Sequence, residues 1–160
     1  MDFNVSEMNS IASENCASEF IKEPHWQLVI DGKTLDRILH EIRDGDGLLG
    51  LVPAVDFLYD SEERRIARDL ACDFSNGSRR VPLLICPDDL DFSCTTIIVD
   101  ACFSNSRVEW KRIGVSIAEP LGPESVYEEV SWYQNIPMFA FSREAYENAF
   151  GELLRNTANR

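Results

Sequence analysis

The chain has 160 residues, 44% of them hydrophobic, and its 28 acidic against 15 basic side chains give a formal net charge of −13. That length fits one domain able to bury a core without disulfides or metals. The acidic excess argues against nonspecific binding to nucleic acid or to an anionic membrane, because both need basic patches. It is compatible with a basic protein partner drawn in by the field, and equally with solubility alone.

Residues 1–24 are polar, acidic and aperiodic, with Asp2, Glu7, Glu14, Glu19 and Glu23 opposed by Lys22. They read as a flexible acidic N-terminal segment, with Ile11, Phe20 and Ile21 as candidate anchors. The segment has neither the basic start nor the apolar stretch of a secretion signal. No run reaches the roughly 18 apolar residues of a membrane span. The cysteines, Cys16, Cys72, Cys86, Cys94 and Cys102, are five, and an odd number without a signal reads as free thiols in a reducing compartment. A cytoplasmic location is expected.

A single domain is expected over 25–160. His25–Ile30 reads as a strand ended by Asp31-Gly32. Leu35, Ile38, Leu39 and Ile42 recur at helical spacing after Thr34, predicting a short amphipathic helix over 35–43. Leu48–Tyr59 is apolar and broken by Pro53, and is compatible with a buried turn, a short strand or an irregular helix. Asp60 and Glu63 have the offset of a capping box, and Ile66 and Leu70 predict a helix over 61–72. The second half is β-rich: strands are expected at Val81–Cys86, Thr95–Phe103, Val108–Ile117 and Val126–Tyr133, with Ser104-Asn105-Ser106 as a hairpin loop and Glu119–Glu124 as a longer one. Asn135–Phe141 reads as a connector or short strand. Ser142 caps a last helix whose inner face holds Tyr146, Phe150, Leu153 and Leu154. This order predicts an α+β fold with a mainly antiparallel sheet of about four to six strands and helices packed on one face.

Three features bear chemistry. Asp88, Asp89 and Asp91 crowd a short loop between two apolar strands. Oxygen-rich loops can hold Mg²⁺ or Ca²⁺, but EF-hand spacing is missing, and a solvated turn after Pro87 is the more ordinary reading. Cys86, Cys94 and Cys102 lie eight residues apart without the close pairs zinc favours, so a core role is expected for all three. His25 and His40 have no companions at ligand spacing, and no nucleophile elbow, phosphate loop or H-E-x-x-H stretch is present. No catalytic residue, metal site or cofactor is therefore assigned. Trp110, Trp132 and Tyr133 lie among charged neighbours; the two tryptophans are expected to fill the core and Tyr133 to be the exposed one.

PLLICPDDLDFSCTTIIV at 82–99, VEWKRIG at 108–114 and WYQNIPMFAFSREAYENAF at 132–150 together resemble a group of small acidic bacterial proteins that look like immunity proteins of polymorphic or contact-dependent toxin systems. The resemblance covers roughly the last half of the chain and brings no catalytic motif. It implies a cytoplasmic protein that binds and neutralises a cognate basic toxin, for example a nuclease, through an acidic surface. Asp88, Asp89, Asp91, Glu128, Glu129 and Tyr133 are the candidate contacts. Alternatives are a divalent-metal hydrolase using the Asp88–Asp91 loop and an acidic nucleic-acid mimic; against the mimic, arginines are interleaved among the acids.

Overall fold

Thr96-Ile97-Ile98-Val99 is a run of β-branched side chains, stiff at χ1 and best accommodated on a pleated surface. It opens the central strand of the larger sheet in the computed structural model, which describes residues 8–118 and 123–158. The elements are β1 (Ile11–Cys16), β2 (His25–Ile30), β3 (Lys33–Thr34), α1 (Leu35–Ile42), β4 (Val52–Pro53), α2 (Ala54–Phe57), α3 (Ser61–Ala71), β5 (Gly77–Ile85), β6 (Thr96–Phe103), β7 (Arg107–Ser116), a 3-10 turn (Pro123–Tyr127), β8 (Val130–Trp132), β9 (Phe139–Ser142) and α4 (Arg143–Asn156).

Six strands form one antiparallel sheet in the order β4-β5-β6-β7-β8, with β9 also paired to β7. A second antiparallel sheet has the order β1-β2-β3. The α+β class with a mainly antiparallel sheet is thus the observed architecture. Leu83 is an extra residue between the pairs Pro82↔Ile98 and Leu84↔Ile97. That bulge accommodates Pro82, which has no N–H to give a ladder. Lys111 is a second extra residue, between Asp100↔Arg112 and Ala101↔Trp110.

The register sorts the side chains. Val81, Val99, Ala101, Phe103, Val108, Trp110, Ile113, Phe139 and Phe141 share one face and are buried. Against them α4 presents Tyr146, Ala149, Phe150 and Leu153 at helical spacing, all buried. Helix α4 also packs on β1 and β2, so both sheets contribute to one core. The Ser142 hydroxyl accepts from Ala145 N at 3.1 Å and caps the helix as expected.

The opposite face is polar where Arg80, Asp100 and Arg112 stand in register, and carries buried Ile98 further along. The Trp132 ring lies between the Arg112 guanidinium (4.2 Å) and that of Arg80 (5.3 Å). Arg112 also pairs with Asp100 at 2.8 Å. Trp110 is in the core, as expected. Trp132 is not: it is a half-buried platform for two cations on the far face.

Several expectations are corrected. Residues 11–16, read as part of a flexible acidic segment, are strand β1, paired from Ile11↔Ile30 to Cys16↔His25. Ile11 and Ser13 point inward while Ala12 and Glu14 are exposed, so a ladder and one buried isoleucine order a stretch too polar to announce itself. The first part of that segment, residues 1–7, lies outside the described residues, as does most of the Glu119–Glu124 loop. The strand expected over Val126–Tyr133 shrinks to β8, because Arg80 donates to the carbonyls of Tyr127 (2.9 Å) and Glu128 (3.1 Å) and turns the chain across the sheet. Cys86, Cys94 and Cys102 are each half-buried instead of core residues; Cys86 and Cys94 sit in a loop, and Cys102 alternates onto the polar face.

Strands β8 and β9 lie end to end along the same edge of β7. Gly114 makes the first of these pairings possible: a Cβ there would stand 2.3 Å from the Ser131 carbonyl oxygen and 2.8 Å from Trp132 Cα. Both are backbone atoms, so the strain has no flexible side chain to relax into. Gly114→Ala is expected to destabilise the fold by roughly 1–3 kcal/mol, lowering Tm by several degrees in a thermal melt.

Candidate protein-binding surface

The antiparallel register collects four chain segments at one end of the six-stranded sheet. Ile85 is opposite Thr96, Ile97 opposite Val115, and Ser116 opposite Val130. The 86–95 loop, the exit of β7 and the turn leading into β8 therefore all occupy that end. The start of α3 joins them, because Tyr59 N donates to the Leu90 carbonyl at 3.0 Å.

The helix start is built by its cap. The Asp60 carboxylate accepts from Glu63 N at 3.0 Å, as the capping-box offset predicts. The Glu63 side chain, however, reaches across to accept from Phe92 N at 3.3 Å. The second arm of the box thus ties α3 to the 86–95 loop. Inside that loop, Leu90 takes a left-handed backbone with φ of 56° and its N–H bonds the Cys86 carbonyl at 3.2 Å. A leucine in this region is held by its surroundings. Asp91 accepts from both the amide (2.9 Å) and the hydroxyl (2.6 Å) of Ser93, an Asx turn.

Asp88 and Asp89 are exposed and Asp91 is half-buried. The three do not form a ligand cluster: among the described residues, the group of acidic, histidine and cysteine side chains with converging donor atoms is Cys86, Asp89 and Cys94. Glu128 and Glu129 are exposed; the Glu129 carbonyl accepts from Ile117 N at 2.9 Å, which sets Glu129 at the same end of the sheet, while the Glu128 carbonyl is held by Arg80. Tyr133 is displaced from this group. It is half-buried, and the Arg43 guanidinium stacks on its ring at 4.9 Å. Burial, with the Asp46 charge nearby, pushes its phenol up, against the pull of Arg43. Tyr133 is thus engaged within the fold and is not the exposed aromatic of the surface.

That part is taken by residues the sequence reading passed over. Tyr59 is 86% exposed and Ile117 58% exposed. Tyr59 stands beside Asp60, Glu62 and the Asp88–Asp91 loop; Ile117 stands beside Glu129. Two bases are close: Arg64, whose guanidinium donates to the Leu58 carbonyl at 3.3 Å, and Arg65, which pairs with Glu62 at 3.7 Å. Tyr59 lay in the stretch whose structure the sequence left open, and a tyrosine directly before a helix cap, outside any apolar period, was the available signal.

Glu63 records the crowding. Burial raises its carboxyl above the usual carboxylate range; the Phe92 N–H opposes this, and the charges of Asp91 and Asp60 add to it. The folded chain thus holds this proton to higher pH than the unfolded chain does, so ionised Glu63 opposes folding at neutral pH. The penalty disappears as pH falls through its titration.

Compared with family profiles, curated proteins and solved structures, the chain matches none. No helix among the described residues is long and apolar enough to cross a membrane.

Glu63→Gln keeps an acceptor for Phe92 N–H and removes the charge. It is expected to raise Tm at about pH 7, with the gain over the parent closing as pH is lowered towards about 4. Thermal melts across that range check it; a gain that persists unchanged at acid pH contradicts the assignment.

Proposed function

We propose that this chain is an immunity-type binding protein, which neutralises a cognate basic toxin by occupying it through the acidic end of the six-stranded sheet. The observation that carries the reading is that Tyr59, tied by its N–H to the Asp88–Asp91 loop, and Ile117, tied by its N–H to Glu129, are large exposed side chains at the acidic end of the sheet. Large exposed side chains bordered by charge are the composition of an interface anchor with a polar rim. A rim of one sign selects a partner of the other and speeds encounter with it. The sequence resemblance of the second half points the same way. The bacterial toxin as partner, its nuclease chemistry and the cytoplasmic setting belong to this proposal.

A divalent-metal hydrolase built on Asp88, Asp89 and Asp91 gains nothing from the geometry. Asp91 is engaged by Ser93, and the three carboxylates do not converge. A nucleic-acid mimic would spread its carboxylates at phosphate-like spacing. Here exposed carboxylates share one end of the sheet with two large exposed side chains, Tyr59 and Ile117, which suits a protein surface better.

The test is a pull-down with the tagged chain from its source lysate, followed by calorimetric and kinetic titration against the basic partner so captured. A 1:1 complex weakened by salt is expected. Tyr59→Ala is expected to cost about 2 kcal/mol, roughly 30-fold in affinity. Asp88→Lys combined with Glu128→Lys is expected to slow association and flatten its salt dependence. No complex, or one indifferent to all of these changes, overturns the reading.

A further inference from the structure

We propose that Cys86, Asp89 and Cys94 form a binding site for a thiophilic divalent cation, zinc by the character of the donors. The proposal is independent of the partner-binding reading. The two thiol sulfurs and a carboxylate oxygen all lie within 4.8 Å of one another.

The fold brings them together by a simple device. The β5–β6 hairpin closes at the pair Ile85↔Thr96, so Cys86 and Cys94 stand on the two sides of the loop's neck. The loop folds back at Leu90, whose N–H bonds the Cys86 carbonyl at 3.2 Å. That return sets Asp89 over the two thiols. The fold-back is fixed from outside, by Tyr59 N on the Leu90 carbonyl and by Phe92 N on Glu63. Asp91 is bound to Ser93, whereas Asp89 is directed to the Cys94 thiol.

The donor set selects the metal. Calcium and magnesium need about six or more oxygen ligands. Two thiolates and a carboxylate suit zinc, which takes sulfur at about 2.3 Å and oxygen at about 2.0–2.2 Å. Tetrahedral geometry then sets donors about 3.5–3.8 Å apart, so the trio must draw in by roughly an ångström. Cys86 and Cys94 are half-buried and Asp89 exposed, and such side chains can make this movement. Three protein ligands leave the fourth position to water or to an exchangeable ligand. Binding converts two thiols to thiolates and releases their two protons to solvent, so affinity rises with pH. Burial, together with the neighbouring Asp89 and Cys86, holds the Cys94 thiol protonated before the metal arrives. Bound metal would clamp the neck of the loop that carries Asp88 and touches Tyr59.

Cobalt(II) is the probe, added to the full chain under a phosphine reductant. A thiolate-to-cobalt charge-transfer band saturating at one equivalent and bleached by zinc is expected. Cys94→Ser is expected to weaken metal binding at least about 100-fold, and Asp89→Asn about 10-fold. Cys72→Ser, at an exposed residue outside the trio, should leave it unchanged. Circular dichroism and Tm of the metal-free variants serve as the check on folding. Should Cys94→Ser fail to fold, Asp89→Asn, at an exposed position, carries the test. Absence of the band in the parent, its survival in the folded ligand variants, or equal loss in Cys72→Ser overturns the proposal. All these readouts are taken without a protein partner, so their failure leaves the binding reading standing, and the reverse holds too.

Discussion

The Trp110 indole N–H donates to the Tyr146 hydroxyl at 3.2 Å inside a fully buried site, and this contact joins the two halves of the core. Neither polar group can be left alone there, since an unpaired buried donor costs about 1–3 kcal/mol. The bond therefore fixes both the rotation of α4 and its position along β7. Around it Phe103, Phe141 and Phe150 meet Tyr146 at centroid distances of 5.4, 5.7 and 4.5 Å. Burial pushes the Tyr146 phenol up, out of reach of neutral-pH ionisation, so it stays a neutral donor and acceptor. Once α4 is seated, its other side receives β1 and β2, and the small sheet has a surface to close on.

That arrangement frees one end of the large sheet. The opposite end is tied by Arg143, which reaches the Ser104 carbonyl at 2.7 Å, the Asn76 side chain and the Phe74 carbonyl. Arg79 reinforces it on the Asp73 and Ser75 carbonyls. Cations thus spend their donors on loop carbonyls at the hairpin end, and another pair, Arg80 and Arg112, is spent on Trp132. At the β5-exit end Glu62 pairs with Arg65, whereas Asp88, Asp89 and Glu129 form no ion pair among the described residues. The net charge of −13 is thereby expressed as a local field, and a local field can steer a partner where a uniform one merely keeps the chain soluble.

The 86–95 loop concentrates the rest of the chemistry. It is held by the backbone groups of three residues: the Leu90 N–H on Cys86 and its carbonyl on Tyr59, the Phe92 N–H on Glu63, and the Ser93 N–H on Asp91. A loop held this way can present Asp88 to a partner with little ordering cost. The proposed metal trio lies at its neck, so occupancy and presentation would share one structural element.

Much of the architecture was legible in the residues. Helical spacing in 35–42 and 61–71, the Ser142 cap, the β-branched run of β6 and the Ser104-Asn105-Ser106 hairpin are local signals, and local interactions decide them. Strand β1 was not legible, because its alternation carries a single large apolar residue and its order comes from a ladder with β2. Nor was the turn over 123–129, which Arg80 imposes from 47 residues away. For the surface, the sequence alone determined that acid exceeds base, and that Asp88 and Asp89 lie in a loop between strands. Only the tertiary structure decided that Tyr59 and Ile117 stand out among those acids while Tyr133 does not, and that Cys86, Asp89 and Cys94 converge. Exposure and convergence depend on strand register and on backbone bonds between distant segments, which no spacing along the chain encodes.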